Sequence, residues 1–292
     1  MRVLIAGCGY LGLALAARLS LNGHQVSGLR RSPAGIEPGE AAPFDFVTAD
    51  LTWPETLTRL AEVPWDWVIQ CAAPTEGTET AYRAVYRDGS LNLLRALSPR
   101  PPRGFVFVGS TSVYGQTDGS RVDESTPAHP LDFSGRILRE SEDALLAAAP
   151  PDSPVWVLRA AGIYGPGRNR IERVRNGFRP SPQDAGRRMN LIHRDDLAAA
   201  IQAVLEARPR SRIFNVCDGV HPTQAEFHAW LANRLGVPGS AASAGNSAPS
   251  ARRSRSFTDK CVVADRLRRE TGWEPAHPDF RAGYQSLLQA SA

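Results

Sequence analysis

The feature that most constrains this chain is a glycine-rich turn within its first twelve residues. The turn reads Gly7-Cys8-Gly9-Tyr10-Leu11-Gly12, which has the spacing G-x-G-x-x-G. A short β-rich run, 2–6, comes before it, and a segment with helical periodicity, 10–22, follows and ends at Gly23. Because the spacing lies between a predicted strand and a predicted helix, it predicts a dinucleotide-binding turn.

Each glycine of the turn has its own physical role. Gly7 lets the chain turn sharply, Gly9 leaves room for a pyrophosphate against the backbone, and Gly12 allows close packing of helix on strand. The free N–H groups and the dipole at the start of the helix attract phosphates. The alternative is an ordinary glycine-rich connection between a strand and a helix, and the surrounding pattern favours the dinucleotide.

The end of the second predicted strand indicates which dinucleotide is bound. An NAD-binding protein usually carries an acid about 20 residues after the turn, where it accepts hydrogen bonds from the ribose. This strand ends in Arg30, Arg31 and Ser32, with no acid. Two guanidinium groups and a hydroxyl suit a 2′-phosphate, so we expect NADP(H), with NAD as the alternative. A solvated basic loop would give the same pattern.

Strand and helix patterns alternate along the first 216 residues. Because the strands are nearly continuous apolar runs between helices, the sequence predicts an α/β protein of the Rossmann type, with a doubly wound parallel sheet. Strands are predicted at 2–6, Gln25–Leu29, Phe46–Ala49, Trp67–Cys71, Gly104–Gly109, Val155–Leu158 and Arg212–Val216. Helices are predicted at 10–22, Glu55–Glu62, Thr80–Leu97, Arg136–Ala149 and Arg194–Ala207.

The strand–helix rhythm fades after residue 216. A helix is predicted at Thr223–Leu235, where Thr223 and Glu226 have the spacing of a capping box. The stretch 239–256 is rich in glycine, alanine, serine and proline and indicates a flexible loop, and 258–292 resumes as two short helices. We therefore predict a dinucleotide-binding domain over 1–165 plus 190–220, and a small substrate domain over 166–189 plus 221–292.

Composition excludes several other classes of protein. Hydrophobic residues make up 42% and charged residues 22%, so the chain is expected to bury a sizeable core. The net charge of +4 is mild, and only Arg252, Arg253 and Arg255 suggest contact with nucleic acid, so none is expected. The apolar run 3–19 contains three glycines and Arg18 and is short for a membrane span, so we expect no membrane segment. The four cysteines form no metal-binding spacing, and we expect no metal site and a reduced, cytoplasmic protein.

Several further motifs follow the glycine turn in a fixed order. They are Ala49-Asp50-Leu51, Cys71-Ala72-Ala73, Val108-Gly109-Ser110-Thr111-Ser112-Val113-Tyr114-Gly115, Leu158-Arg159-Ala160-Ala161-Gly162-Ile163-Tyr164-Gly165-Pro166-Gly167, Ile192-His193-Arg194-Asp195-Asp196 and Gly272-Trp273-Glu274-Pro275. Together they resemble the extended short-chain dehydrogenase/reductases, the NAD-dependent epimerase/dehydratase group, over nearly the whole chain. The resemblance implies a Rossmann domain followed by a small C-terminal substrate domain.

The resemblance also implies roles for residues outside the glycine turn. Asp50 and Leu51 would lie by the adenine, and Ala72 and Ala73 would line the cofactor cleft. The alternative for Asp50 is that its carboxylate only caps a turn.

Three residues become catalytic candidates through the same resemblance. Ser110 would match the active-site serine or threonine of the family, and Tyr164 would border the nicotinamide and the substrate. Tyr114 would lie near the same cleft. Packing roles for the two tyrosines remain open.

The sequence departs from the family at its catalytic pair. The family carries Tyr-x-x-x-Lys at the start of the helix after the fifth strand, where lysine lowers the pKa of the tyrosine. Here Ser134 and Leu138 occupy those positions, and Lys260 is the only lysine in the chain. The chain therefore resembles the atypical, YeeZ-like branch. Tyr164 and Tyr114 are the first candidates for a replacement acid.

Weaker candidates stand behind the two tyrosines. Histidine is the side chain type that exchanges protons most readily near neutral pH, which makes His193 and His129 candidates, although His193 is better explained as a structural tie. Arg139 and Arg136 are candidates for holding the ribose, but arginine does not transfer protons.

Two functions from different classes remain. The first is an NADP(H)-dependent oxidoreductase acting on a small carbonyl or hydroxyl compound. The second is a non-catalytic NADP(H)-binding sensor or scaffold, which the missing tyrosine and lysine favour. Proteins that this chain resembles often pair through the helices that correspond to Thr80–Leu97 and Arg136–Ala149, so the resemblance implies a homodimer.

Overall fold

The computed structural model describes residues 1–32, 44–237 and 258–290, so the predicted flexible loop 239–256 lies outside the described residues. The strands are β1 (Arg2–Ala6), β2 (Gln25–Arg30), β3 (Asp45–Thr48), β4 (Trp67–Gln70), β5 (Gly104–Ser110), β6 (Arg121–Val122), β7 (Val155–Ala160), β8 (Gly162–Tyr164), β9 (Leu191–His193), β10 (Ile213–Val216) and β11 (Cys261–Val262). The α-helices are α1 (Tyr10–Leu21), α2 (Glu79–Tyr82), α3 (Gly89–Ala96), α4 (Phe133–Ala148), α5 (Ile171–Arg175), α6 (Pro182–Ala185), α7 (Arg194–Ala207), α8 (Gln224–Arg234), α9 (Asp265–Thr271) and α10 (Phe280–Ala290).

Seven strands form one parallel sheet in the order β10-β7-β5-β4-β1-β2-β3. The chain starts at β1, builds outward through β2 to β3, and then returns to β4 on the other side of β1. Helix α1 packs against α7, and α3 packs against α4. This is the predicted doubly wound Rossmann arrangement, and its strand order reverses between β1 and β4. A crevice therefore opens there, at the carboxyl ends of the two strands.

The strands form where the sequence has continuous apolar runs. Val3 to Ala6 of β1 and Phe105 to Phe107 of β5 are fully buried. Parallel strands covered on both faces need this pattern, whereas a strand with one wet face would alternate. The seven predicted strands are confirmed, with ends within two residues of those observed.

Helix ends are less regular than the sequence predicts. Helix α4 starts at Phe133 rather than Arg136, because the Asp132 side chain accepts a hydrogen bond from the Gly135 N–H and caps the first turn. The predicted helix Thr80–Leu97 is helical from α2 to α3, but its middle, Arg83–Asp88, is a π-helix. The predicted capping box of Thr223 and Glu226 is present at α8.

A second apolar cluster lies apart from the core of the sheet. It is built from β8, the short helix α5, β9 and the helices α8 and α10. We call it the C-terminal cluster; its buried members are Tyr164, Ile171, Val174, Met189, Leu191, Phe227, Leu231, Ala232, Phe280, Tyr284 and Leu287. The division into two domains at the stated boundaries stays a prediction.

The C-terminal part of the chain also returns to the main sheet region. Strand β11 pairs in parallel with β6, joining Cys261 to Arg121 and Val262 to Val122. The sequence predicts only two helices over 258–292, so this strand was missed. Within the described ranges, no helix combines the length and apolar character that a membrane crossing requires.

A buried ion pair ties α4 to β7. The Arg159 guanidinium bonds both carboxylate oxygens of Glu142, with Nη2 donating at 2.6 Å, and the two side chains are almost completely buried. Arg139 reaches the same carboxylate at 3.2 Å. The pair is satisfied on both sides, which a buried charge requires.

We expect Glu142→Gln to destabilise the fold by about 3–5 kcal/mol, because the Arg159 charge is then buried without a counter-charge. Urea unfolding followed by circular dichroism measures the loss. The matched control is Glu140→Gln, which breaks the exposed pair with Arg83 and costs under about 1 kcal/mol. Equal losses for the two variants would contradict the prediction.

Candidate active site

The glycine turn is held in place by a contact that only glycine permits. Gly7 has φ of +95°, in the left-handed region, and a Cβ atom there would overlap the backbone of Ala72. A Cβ on Gly12 would lie 2.5 Å from the Gly7 carbonyl oxygen. The turn therefore brings the end of β1, the start of α1 and the segment after β4 together more closely than any side chain would allow.

The start of α1 is open to a ligand. Gly9 caps the helix without a side-chain hydrogen bond, and the first turn contains no acid. A Cβ on Gly9 would meet none of the surrounding atoms of the described residues within 4 Å. Because the first N–H groups of a helix have no partner inside it, this open space suits a phosphate group.

The other three residues of the turn face different surroundings. The side chains of Cys8 and Leu11 are buried, so only their backbone can meet a ligand. Burial raises the pKa of Cys8 to about 11, which keeps the thiol protonated. Tyr10 lies half-buried with its hydroxyl near Gly165 and without a hydrogen-bond partner among the described residues.

Two arginines that sequence reasoning missed lie at the same turn. The guanidinium carbons of Arg168 and Arg194 lie 5.5 Å and 5.1 Å from the centre of the Tyr10 ring. They come from the segment after β8 and the start of α7, so only the tertiary fold brings them to Tyr10. Arg194 is also paired with Asp195, whose Oδ1 accepts from Arg194 Nε at 2.8 Å, so the positive charge that the fold adds at Tyr10 comes mainly from Arg168.

The predicted phosphate clamp lies at the end of β2. Arg30 is half-buried with its guanidinium 5.9 Å from the Phe46 ring, and its Nη1 is buried without an acceptor among the described residues. Arg31 and Ser32 are exposed. Because a buried guanidinium nitrogen is costly without an acceptor, Arg30 fits an anionic ligand at this position.

Asp50 caps a turn, as the alternative interpretation of the sequence predicts. Its Oδ1 accepts hydrogen bonds from the backbone N–H and the hydroxyl of Thr52, which caps a turn. Leu51 is buried close to Gly89 in α3. Ala72 packs beneath Gly7 and Ala73 is exposed. A place beside the adenine for Asp50 and Leu51 stays a prediction.

Ser110 lies at the carboxyl end of β5, next to the crevice. Its Oγ accepts a hydrogen bond from the Ser112 N–H at 3.1 Å, and the side chain is half-buried. The hydroxyl hydrogen is not used by that bond. Ser110 therefore has the position and the chemistry to donate a hydrogen bond to an oxygen in the crevice.

Tyr114 does not fit its predicted role as an acid. Its side chain is fully buried, its hydroxyl donates to Asn215 Oδ1 at 3.0 Å, and it accepts from Arg159 Nη1 at 2.8 Å. Burial raises the pKa of Tyr114. Because the proton is already used inside the core, this geometry favours the packing role that the sequence left open for Tyr114 and argues against its use as a replacement acid.

Tyr164 belongs to the C-terminal cluster rather than to an open cleft. It is 4% exposed and stacks on Tyr284 with ring centres 5.0 Å apart. Its hydroxyl lies against Gly283 and has no hydrogen-bond partner among the described residues. Burial, and then the carboxylate of Asp218, raises the pKa of Tyr164 far above its usual range. This geometry argues against Tyr164 as the proton donor.

The positions of the missing catalytic pair are filled by residues with other functions. The Ser134 hydroxyl donates to Asp132 Oδ1 at 2.7 Å, and Leu138 is buried in the core. Arg139 is paired with Glu142 and Asp143, so it does not replace the missing lysine. The lysine that the fold brings close to the start of this helix is Lys260, which directly precedes β11.

A cluster of metal-binding side chains also forms, although the sequence predicts none. Donor atoms of His193, Asp196 and His277 lie within 4.8 Å of one another. The Asp196 carboxylate already accepts from the N–H groups of Ala276 and His277, and from the His277 ring at 2.9 Å. We therefore interpret the cluster as a tie between α7 and the C-terminal segment, and the absence of a metal site stays a prediction. His193 also caps α7, since its side chain accepts from the Asp195 N–H.

Comparison with known proteins agrees with this geometry. The sequence model of the NAD dependent epimerase/dehydratase family matches residues 3–217, and the chain belongs to that family. Protein YeeZ of Escherichia coli K12 is 32% identical over 286 residues, which cover 95% of this chain and 97% of YeeZ.

Solved structures show the same fold. A protein of Methylobacillus flagellatus that is named as an NAD-dependent epimerase/dehydratase is 33% identical, with a TM-score of 0.80. The match covers 99% of this chain and 98% of the other. The enzyme WbmG of Bordetella bronchiseptica, in complex with NAD and UDP, is 20% identical with a TM-score of 0.82, covering 99% of this chain and 94% of its own. At that identity WbmG supports the fold alone.

We expect Gly9→Ala to keep the fold and weaken binding of the dinucleotide about tenfold or more, because one methyl group fills the space for the phosphate at a cost on the order of 1–3 kcal/mol. Calorimetric titration with NADPH and thermal unfolding measure the two effects. The matched comparison is Gly7→Ala, which destabilises the fold itself by crowding Ala72. Unchanged affinity in a folded Gly9→Ala variant would contradict the assignment.

Proposed function

We propose that this protein is an NADP(H)-dependent oxidoreductase acting on a small carbonyl or hydroxyl compound. The observation that carries the proposal is the open, uncapped start of α1 behind the Gly7 turn, at the point where the strand order reverses. In open parallel sheets this crevice is where dinucleotides bind. Membership of the NAD dependent epimerase/dehydratase family supports the binding of a nicotinamide dinucleotide in this crevice.

The preference for NADP(H) rests on the end of β2. Arg30 has a buried guanidinium nitrogen without an acceptor among the described residues, and Arg31 follows it at the surface. No carboxylate stands at 30–32 to bind a ribose hydroxyl or repel a phosphate. A 2′-phosphate would give Arg30 a charge-assisted partner.

The protein's own residues would bind and orient the dinucleotide and polarise the substrate oxygen. The N–H groups of α1 would hold the pyrophosphate, and Arg168 would add positive charge beside it. Ser110 donates a hydrogen bond to the substrate oxygen from the end of β5. When bound, the nicotinamide cofactor supplies hydride transfer.

The short connection between β8 and β9 supports a small substrate. Between β8 and β9 there are only the short helices α5 and α6, and the C-terminal cluster behind them is closely packed around Tyr164. Such a lobe suits a small carbonyl or hydroxyl compound. WbmG shows that the fold also accommodates a uridine nucleotide, so sugar nucleotides belong in the test panel.

A non-catalytic sensor is the second candidate. Ser134 and Leu138 stand where the family carries its catalytic tyrosine and lysine, and both residues have structural contacts instead. A sensor would bind the dinucleotide without oxidising or reducing a substrate.

Two measurements test and separate these functions. Calorimetric titration with NADPH and, separately, NADH measures binding, and we expect tighter binding of NADPH. Loss of NADPH absorbance with a panel of aldehydes, ketones and sugar nucleotides measures turnover. Binding with turnover supports the oxidoreductase, and binding without turnover across the panel supports the sensor. If neither nucleotide binds, both functions are wrong.

We expect Arg30→Ala to weaken NADPH binding about 10- to 100-fold and leave NADH binding unchanged, because it removes a charged hydrogen bond worth roughly 1.5–3 kcal/mol. Titration of both nucleotides measures the difference. The matched control is the neighbouring, exposed Arg31→Ala, for which we expect a smaller loss. Equal losses for NADPH and NADH in Arg30→Ala would show that Arg30 does not contact a 2′-phosphate.

A further inference from the structure

The only lysine of the chain is brought to the site from the C-terminal segment. Lys260 is 5% exposed, and it directly precedes β11, which pairs with β6. Backbone hydrogen bonds hold its neighbours on both sides, with Asp259 N–H donating to Gln116 O and Cys261 N–H donating to Ser120 O. The position of Lys260 is therefore fixed by the loop that follows β5.

The ammonium group of Lys260 lies between that loop and the start of α4. Its Nζ donates to the Tyr114 carbonyl oxygen at 2.5 Å, and the carboxylate of Asp132 acts on it electrostatically. Asp132 caps α4 and accepts from the Ser134 hydroxyl. The first turn of α4 packs against the same loop, since a Cβ on Gly135 would lie 2.6 Å from Ser112 O.

This place corresponds to the nicotinamide half of the crevice. The strands β4, β5 and β7 lie on the opposite side of β1 from β2 and β3. Arg30, at the end of β2, would contact the adenosine end of the dinucleotide. A dinucleotide lying across the reversal point puts its second half over β4 and β5. Ser110 ends β5, and the Tyr114 carbonyl that Lys260 contacts is four residues further along.

The surroundings of Lys260 also allow its ammonium group to release a proton near neutral pH. Burial lowers the pKa of Lys260 to about 8, and the Asp132 carboxylate partly opposes that change. Among the described residues, Asp132 is the charged group that acts on it. A proton donor works best when its pKa lies close to the operating pH.

A purely structural tie does not need an ammonium group here. Burying a positive charge costs free energy that a neutral donor to the same carbonyl would not cost. A bond to the Tyr114 carbonyl does not by itself require a charged donor, and the Asp132 carboxylate offsets part of the cost of burying one.

We propose that Lys260 is the proton donor of the active site and replaces the tyrosine that is missing from α4. The inference rests on the proposed oxidoreductase function. In the reductive direction, the carbonyl carbon gains a hydride with its electron pair from a reduced nicotinamide dinucleotide, and the carbonyl oxygen gains a proton from Lys260 Nζ. The carbonyl becomes an alcohol, the nicotinamide is oxidised, and the neutral amine regains a proton from solvent.

The test uses the fact that one lysine gives one side-chain signal. The full-length protein is prepared with ¹³C,¹⁵N-labelled lysine, and the pKa of Lys260 is measured by NMR in complexes with NADP⁺ and with NADPH. The two nucleotides carry the same phosphates and differ by one charge on the nicotinamide ring. A nearby positive ring disfavours the ammonium form, so we expect the pKa to be lower with NADP⁺ by about 0.5 or more.

The outcomes separate this inference from the proposed function. If both nucleotides bind and the pKa of Lys260 is the same in both complexes, Lys260 lies away from the reacting centre and the inference is wrong. If neither nucleotide binds, the proposed function fails and the inference fails with it. Lys260→Arg serves as the assignment control, because it removes the signal while keeping a positive charge.

Discussion

The close contact between Gly7 and Ala72 sets the geometry on which the rest of the site depends. It joins the ends of β1 and β4, the two neighbouring strands from which the chain departs in opposite directions. Any side chain at position 7 would push these ends apart and tilt α1 away from the crevice. The contact thus directs the first N–H groups of α1 into the space that Gly9 leaves open.

The buried charges beneath the crevice limit which residues can do chemistry. Arg159 is held by Glu142 on one side and by the Tyr114 hydroxyl on the other. A proton lost from Tyr114 during catalysis would add a charge to a closed network that Asn215 also completes. Because charges in such a network are stable only when all partners are satisfied, this arrangement argues against proton transfer by Tyr114. The same logic makes the position of Ser110, at the open end of β5, more useful.

The parts of the fold that were predicted correctly are those with local signals. The strands are visible as apolar runs, and the glycine turn between β1 and α1 is visible as a spacing. The roles of Tyr114 and Tyr164 were not visible, since their hydroxyl environments are set by Asn215 and Gly283, which lie about 100 residues away in sequence. Strand β11 is two residues long and leaves no periodic pattern, so the sequence shows Lys260 only as an isolated cation.

The replacement of lysine by leucine on α4 has a consistent physical account. At position 138 the side chain is 4% exposed, so leucine stabilises the core there without the cost of burying an ammonium group. That cost is not removed from the protein, because Lys260 buries its own ammonium against the Tyr114 carbonyl, where the Asp132 carboxylate acts on it electrostatically. A lysine on α4 would be positioned as soon as the helix formed, whereas Lys260 is positioned only when β11 pairs with β6. The charge at the site therefore depends on the docking of the C-terminal segment, which also completes the C-terminal cluster through α10.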